Sequence, residues 1–308
     1  MEPTFDPREI PDLSGKVFFI TGGTTGLGAA TALELAKHHA ARIYISGRNA
    51  QAATSVIEQI RGVSKTDVTF VKCDLTSLSS VKAAATGFLS KEIRLDVLLC
   101  CAGVMATDPG LTRDGYEIQF GTNHLGHAML IRQLLPLLQK SSDNREGGAD
   151  ARIVILTSLG FKMAPLRGPG ILFDELKTTQ DKGFMWSWYR YGQSKLANLL
   201  YAKELARRYP GVTSVSVHPG VIKTGLVEGM SVVKRWFVYV TTVRQMVPLE
   251  EGTYNSLWAT TTSKENVANG AFYEPVGKLG GLDKRAKDEG LAGELWEWTQ
   301  KVLDEYDT

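Results

Sequence analysis

Two residues, Tyr191 and Lys195, have the types and the spacing to manage a proton. They stand four positions apart in residues 189–209, a segment whose pattern predicts a helix. Their side chains should share one helix face, about 5–6 Å apart at Cβ. A free phenol titrates near pH ~10, and a cation within about 4–6 Å favours the phenolate. The pair therefore predicts a tyrosine that gives and takes a proton near neutral pH. An ordinary surface pair with the same spacing is the alternative.

A glycine-rich turn lies between the first predicted strand, residues 17–21, and a predicted helix, residues 29–39. Its glycines allow a tight turn and a close approach of the backbone to a pyrophosphate, which the N-terminus of the following helix attracts. The turn therefore predicts a dinucleotide site, with a plain loop as the alternative. Its spacing is Gly-x3-Gly-x-Gly, in the sequence Gly22-Gly23-Thr24-Thr25-Gly26-Leu27-Gly28.

Strands and helices alternate after this turn. Alternation of this kind implies parallel strands joined by right-handed crossovers, with helices on both faces. We predict an α/β fold: a single Rossmann-type domain over residues 1–308, with a doubly wound parallel sheet of about seven strands. The further predicted strands are residues 42–46, 68–72, 96–100, 152–157, 213–217 and 271–273, and the helices are residues 49–62, 77–90, 114–139, 189–209 and 283–306.

Together these motifs resemble those of the short-chain dehydrogenase/reductase family, over nearly the whole chain and in the same order. The sequence around Asn123 and Tyr191 is most similar to the branch that holds retinol dehydrogenases, protochlorophyllide reductases and WW-domain oxidoreductases. The matching segments are the Thr-Gly-x3-Gly-x-Gly turn at residues 21–28, a variant of Asn-Asn-Ala-Gly at residues 100–103, Asn123 in the long helix, Ser158 after the fifth strand, Tyr191 with Lys195, and His218-Pro219-Gly220 with Thr224 beyond.

The resemblance implies an oxidoreductase in which nicotinamide carries a hydride to a carbonyl or from an alcohol. Ser158 would hydrogen-bond the substrate oxygen, and Tyr191 would donate the proton on reduction or remove it on oxidation. Lys195 would lower the pKa of Tyr191 and bind the nicotinamide ribose. Asn123 would hold a water that links Lys195 to solvent. An Asn123 that only caps or kinks its helix is the alternative.

The end of the second strand indicates which cofactor is used. In NAD sites an acidic residue about 20 positions past the glycine turn contacts the ribose 2′-hydroxyl, whereas an arginine accommodates a 2′-phosphate. Residues 43–53 contain no carboxylate, and Arg48 can bind a phosphate through two hydrogen bonds. NADP(H) is therefore the predicted cofactor.

The candidate cofactor-binding residues follow from the turn, from Arg48 and from the resemblance. Asp74 is similar to the aspartate that contacts adenine in the family, although it also suits a helix N-cap before Ser77. The full set is Gly22, Thr24, Thr25, Gly26, Leu27, Gly28, Arg48, Asp74, Leu75, Ala102, Gly103, Asn123, Tyr191, Lys195, Pro219, Gly220, Val221 and Thr224.

Two departures from the family pattern bear on the site. Cys100 and Cys101 replace both asparagines of Asn-Asn-Ala-Gly, so we expect a weaker side-chain tie between neighbouring strands, with backbone contact to the cofactor retained. The long insert at residues 159–190 is rich in aromatic residues and is expected to lie over the mouth of the site.

Residues 225–247 correspond to the family's substrate lid and carry many large apolar groups. They predict a lipophilic substrate, and together with the insert a mobile cover over the site. Lys234 and Arg235 beside Trp236 suggest an alternative, peripheral contact with a membrane surface.

Composition and charge argue against several other classes of protein. A formal net charge of +2 without a basic tract argues against nucleic acid. The first eleven residues include Glu2, Asp6 and Glu9, so neither a signal peptide nor an anchor is expected. The longest late apolar stretch, around residues 236–240, is far shorter than the ~20 residues of a spanning helix. Three cysteines fit a cytoplasmic protein.

The sequence does not indicate a metal site. His124 and His127 stand three apart on a helix, but nearby ligands to complete a set are lacking, so packing roles are expected. A homodimer is left open. So are two other functions on the same fold: a non-redox or cyclisation enzyme, and a non-catalytic NADP-sensing protein.

Overall fold

The computed structural model describes residues 5–143, 150–166, 168–222 and 246–307 of the chain. Its strands are β1 (Val17–Thr21), β2 (Arg42–Gly47), β3 (Asp67–Lys72), β4 (Val97–Cys100), β5 (Arg152–Leu156), β6 (Thr213–Val217), β7 (Val221–Ile222), β8 (Met246–Val247), β9 (Phe272–Glu274) and β10 (Lys278–Leu279). Its helices are α1 (Gly26–Lys37), α2 (Ala50–Arg61), α3 (Leu78–Leu89), α4 (Ile118–Phe120), α5 (Gly126–Asp143), α6 (Trp186–Arg208), α7 (Leu249–Thr261) and α8 (Glu289–Asp304).

Eight of these strands form one sheet in the order β10-β9-β6-β5-β4-β1-β2-β3. Seven are parallel, and β10 runs antiparallel to β9 at the edge. The predicted doubly wound sheet is thus confirmed, with eight strands in place of about seven because the chain turns back after Glu274. The strand order reverses between β1 and β4, and open sheets of this type bind ligands at the carboxyl ends beside such a reversal.

The apolar runs of the central strands are explained by burial on both faces. All five residues of β1 are buried, and its side chains alternate between two cores. Phe18 and Ile20 pack with residues of α1, α2 and α7, whereas Phe19 packs with residues of α3, α5, α6 and α8. Helices therefore cover both faces of the sheet.

The helices that carry Asn123 and Tyr191 differ from their predicted bounds. The long helix begins at Ile118, passes through a π-helical turn at Gly121–Leu125 and continues as α5. Asn123 lies inside that π turn. Helix α6 begins at Trp186, so the last residues of the insert form its first turn.

The insert contributes to the core more than the sequence led us to expect. Phe161 is fully buried and packs edge-on against Phe272, and Phe173 contacts Trp298 of α8. Leu166 of the insert, by contrast, is 85% exposed. Both aromatic rings therefore attach the insert to the domain.

Candidate active site

The predicted catalytic residues Ser158, Tyr191, Lys195 and Asn123 meet beyond the carboxyl ends of β4 and β5. Ser158 follows β5 and caps a short 3-10 helix through a 3.1 Å bond from the Gly160 N–H. Gly160 lies directly under the tyrosine ring, since a Cβ there would be 2.7 Å from Cε1 of Tyr191 and 3.3 Å from Oγ of Ser158. Only glycine permits this approach, which brings the serine and the phenol together.

Tyr191 is buried, with 8% of its surface exposed. Burial raises the pKa of its phenol to about 12, against an opposing hydrogen bond with Ser158. This is opposite to the lowered pKa that we expected from Lys195, because the cost of placing a phenolate in the interior is greater. The hydroxyl is therefore held protonated at neutral pH.

Lys195 lies one turn further along α6, with its ammonium 5.7 Å from the centroid of the Tyr191 ring. Its Nζ donates a 3.0 Å hydrogen bond to the carbonyl of Leu156 at the end of β5. Burial lowers the pKa of Lys195 to about 8. The lysine consequently carries its positive charge at neutral pH and loses it in mildly alkaline solution.

Asn123 joins three elements through its side-chain amide. Oδ1 accepts from the N–H of Val104 at 2.8 Å, while Nδ2 donates to the Val104 carbonyl and to Oγ of Ser194, each at 2.9 Å. A Cβ on Gly103 would lie 3.0 Å from Asn123 Oδ1 and 3.6 Å from Lys195 Nζ. Asn123 thus lies in the π-helical turn, and its side chain and that of Lys195 both lie beside Gly103.

A chain of hydrogen bonds through His127 connects this asparagine to the glycine-rich turn. His127 Nδ1 lies 2.9 Å from the Asn123 carbonyl and must donate to it. Burial lowers the pKa of His127 to about 4, so the ring is neutral and Nε2 accepts from the Thr21 hydroxyl at 2.8 Å. The Thr21 oxygen in turn accepts the N–H groups of Cys101 and Ala102 at 2.9 and 3.0 Å.

Thr21 and His127 therefore supply a link that we expected to be weak. With cysteines at positions 100 and 101, the backbone after β4 is attached to β1 through the Thr21 hydroxyl. The features of the sequence that could have predicted this contact are the threonine at the end of β1 and the histidine four residues after Asn123. They could not be used without knowing that β1 and β4 are neighbours.

The glycine-rich turn has the geometry of a phosphate cradle. Gly22 has a φ of +67°, and a Cβ on it would lie 2.9 Å from Cα of Ala102. The turn leads directly into α1, whose first residue is Gly26. The predicted residues Thr24, Thr25, Leu27 and Gly28 lie in this turn and the first turn of α1. The turn and the Ala102–Gly103 backbone are thus adjacent, which fits the approach of a dinucleotide.

Arg48 lies at the carboxyl end of β2, exposed, just before the N-terminus of α2. Asn49 caps α2 by accepting from the Ala52 N–H at 3.1 Å. In the part of the chain that the structure describes, the Arg48 guanidinium has no ion pair. A free cation beside a helix N-terminus suits an anionic group.

Asp74 is not the N-cap of α3, so that alternative was wrong. Ser77 caps the helix, and Asp74 Oδ1 accepts from the N–H and the hydroxyl of Thr76 at 3.1 and 2.8 Å. Arg113 approaches the second carboxylate oxygen of Asp74 at 3.5 Å. Leu75 is buried, and a Cβ on Gly126 would lie 2.6 Å from its carbonyl oxygen. Both predicted residues therefore follow β3 at the same sheet edge as Arg48.

The segment after β6 is described only in part. Pro219 and Gly220 lead into β7, where Val221 pairs with Met246 of β8. Gly220 has a φ of +90°. Thr224 and residues 225–245 of the expected lid, with Trp236, lie outside the described residues.

A small apolar cluster that contains Trp188 did not follow from the motifs. Its members are Met105, Ala106, Met163, Trp188 and Met246, which we call the apolar wall. Trp188 is three residues before Tyr191 on α6, so the two side chains share a helix face. The spacing of Trp188 and Tyr191 could have been recognised in the sequence. The three methionines lie in segments far apart in the chain, so their meeting could not.

Among the described helices, none is long and apolar enough to cross a bilayer. The described residues also contain no group of three side chains suited to hold a metal ion. His124 contacts the hydroxyl of Thr299 at 2.9 Å and lies close enough to His127 for the two rings to interact electrostatically.

Comparison with known proteins agrees with this geometry. The family described as short chain dehydrogenase matches residues 16–167. The short-chain dehydrogenase/reductase drtF of Aspergillus calidoustus is 38% identical and covers 96% of both chains. Mouse retinol dehydrogenase 11 is 35% identical over 94% of this chain and 87% of its own. The chain therefore belongs to the short-chain dehydrogenase/reductase family.

A solved structure extends the likeness to three dimensions. An uncharacterised protein from Mycobacterium paratuberculosis superposes with a TM-score of 0.75 at 27% identity, covering 98% of each chain. The family and the Rossmann-like fold together make this protein an oxidoreductase of that family.

Proposed function

We propose that the protein is an NADP(H)-dependent ketoreductase, transferring a hydride between nicotinamide and the carbonyl or alcohol of a lipophilic small molecule. The observation that carries this proposal is a buried phenol, Tyr191, that shares a hydrogen bond with Ser158 and lies near a buried ammonium, Lys195. One measurement tests it: loss of NADPH absorbance at 340 nm in the presence of a panel of apolar ketones and aldehydes. Binding of NADPH without its oxidation would favour a sensing role.

The proposed chemistry divides between cofactor and chain. When bound, the nicotinamide supplies or accepts the hydride. Ser158 hydrogen-bonds the substrate oxygen, and Tyr191 donates its proton to that oxygen as negative charge develops there. The phenol is protonated at neutral pH, so it holds the proton that reduction of a carbonyl requires. Lys195 provides positive charge at neutral pH, and Asn123 orders the backbone at Val104 beside it.

The cradle between the glycine-rich turn and the Ala102–Gly103 backbone is the proposed place for the pyrophosphate and nicotinamide. Added atoms on Gly22 would fill it, since they would meet the backbone of Ala102. The remaining proposed contacts are Thr24, Thr25, Gly26, Leu27 and Gly28 of the turn, Asp74 and Leu75 after β3, Pro219, Gly220 and Val221 after β6, and Thr224.

NADP(H) in preference to NAD(H) is supported by Arg48. We expect Arg48→Ala to raise the Michaelis constant for NADPH far more than that for NADH. Only NADPH would lose a charge-assisted contact, of about 1.5–3 kcal/mol. Steady-state kinetics with both cofactors measures the ratio. Arg61→Ala, at the far end of α2, is a matched control that should leave the ratio unchanged. Equal effects of Arg48→Ala on both cofactors would contradict the assignment.

A lipophilic substrate is supported by the apolar wall and by one relative. Met, Trp and Ala side chains at the wall favour an apolar body, and methionine adapts to irregular shapes. Mouse retinol dehydrogenase 11, named for a lipophilic alcohol, aligns over most of the chain. We further propose that residues 159–190 and 225–247 form the substrate-site insert and lid, because Met163, Trp188 and Met246 of the wall belong to them.

A further inference from the structure

Arg190, the residue immediately before Tyr191, is the largest of the fully buried side chains in the described part of the protein. Its guanidinium makes an ion pair with Glu117 at 3.2 Å. It also donates to three main-chain carbonyls: Thr107 at 2.9 Å, Trp186 at 3.3 Å and Thr179 at 3.4 Å. A single side chain thus connects four segments of the chain.

Glu117, the partner, is itself completely buried. Its second carboxylate oxygen accepts from the Phe120 N–H at 2.7 Å, which caps α4 just before the π turn that holds Asn123. Its own N–H donates to the carbonyl of Leu176 in the insert at 2.8 Å. The pair therefore attaches the insert to the start of the Asn123 helix.

Two of the segments that Arg190 joins carry members of the apolar wall. Thr107 directly follows Met105 and Ala106, and Trp186 opens the turn of α6 that contains Trp188. Burying two charges is costly, and apolar residues of similar volume often stabilise a fold as well or better. Stability alone therefore gives little reason to place an ion pair here, whereas fixed positions of the wall relative to Tyr191 give a specific one.

We propose that Arg190 is a positioning residue that, through Glu117 and the three carbonyls, sets the apolar wall against Tyr191 and so determines the use of large apolar substrates. This inference rests on the proposed function. A small ketone needs the phenol and the serine but not the wall. A bulky apolar ketone needs the wall as well, so the two substrates separate positioning of the wall from general activity.

The chain offers a matched control in Arg152. This residue is also buried, pairs with Asp150, and donates to the carbonyls of Ala259 and Thr262. It opens β5, so it lies at the opposite end of that strand from Ser158. A lysine at either position loses the planar donor fork of arginine while keeping a positive charge.

The experiment compares Arg190→Lys with Arg152→Lys, using thermal unfolding, the Kd of NADPH, and kcat and KM for a small and a bulky apolar ketone. Both variants should unfold at lower temperature and bind NADPH as the wild type does. Arg190→Lys should lower kcat/KM for the bulky ketone by at least ~10-fold relative to the small one, since a displacement of about 1 Å can cost ~100-fold. Arg152→Lys should leave that ratio unchanged.

Equal substrate ratios in the two variants would overturn the inference, with the proposed function intact. If Arg190→Lys does not fold, the double variant Arg190→Met with Glu117→Gln removes both charges and keeps the cap on Phe120. It should regain stability while still losing the bulky ketone, and recovery of that substrate would also overturn the inference. If the wild-type protein failed to oxidise NADPH with every carbonyl compound tested, the proposed function itself would be contradicted.

Discussion

Tyr191→Phe should lower the rate of hydride transfer by about 10²–10⁴-fold, the usual contribution of a positioned general acid. The phenol is the proposed proton donor, and burial keeps it protonated. Phenylalanine preserves the ring that packs on Gly160, so NADPH affinity should stay within a few-fold of the wild-type value. Oxidation of NADPH at 340 nm with an apolar ketone, and a separate binding titration, measure the two effects.

Tyr201→Phe is a suitable control for this change. Tyr201 lies on the same helix, is equally buried, stacks on Trp296 and has its hydroxyl near Gln300. The same loss of a hydroxyl there should leave turnover nearly unchanged. If Tyr191→Phe kept more than about a tenth of wild-type activity, a smaller loss than a general acid usually gives, Tyr191 would not be the proton donor.

Acid should destabilise the fold steeply between about pH 6.5 and pH 4. Burial lowers the pKa of His124 to about 3 and those of His127 and His218 to about 4. In the unfolded chain each titrates near ~6.5, so in this window the unfolded state binds more protons and the free energy of unfolding falls as pH falls. Each histidine lowers the free energy of unfolding by about 1.4 kcal/mol per pH unit, and the three together lower it by roughly 4 kcal/mol per pH unit.

Urea unfolding at pH 7, 6 and 5 measures this slope. His124→Gln removes one of the three buried imidazoles and should reduce the slope by about one third. His39→Asn, at an exposed position with positive φ that asparagine tolerates, should leave the slope as it is. A free energy of unfolding that stayed constant from pH 7 to pH 5 would show that these rings are not buried in neutral form.

Much of the fold follows from patterns that are local in the chain. The apolar runs of β1, β4 and β5 require burial on both faces, and alternation with helices requires parallel crossovers. The two-residue strand β10 was missed because Lys278 and Leu279 are exposed and have no strand pattern. The π turn at Gly121–Leu125 was missed because no residue pattern marks the change from α to π hydrogen bonding inside a helix.

The candidate site shows the same division. Spacing selected Tyr191 and Lys195, and the resemblance to the family added Ser158 and Asn123. The structure brings these four residues together. Whether the pKa of Tyr191 is raised or lowered depends on how deeply the phenol is buried, and residue spacing does not reveal burial. The contacts of His127 with Thr21 and of Arg190 with Glu117 each join residues at least 70 positions apart. Such pairs emerge only when the sheet order and the helix packing are known.

Deuterium transfer tests the central claim most directly. The protein would be given NADPH that carries deuterium at the transferable position of the nicotinamide, together with the apolar ketone it reduces fastest. The account predicts an alcohol with one deuterium on the former carbonyl carbon for each NADPH oxidised, because the hydride passes straight to that carbon. An alcohol without the label, or a product formed while NADPH remains unchanged, would contradict it.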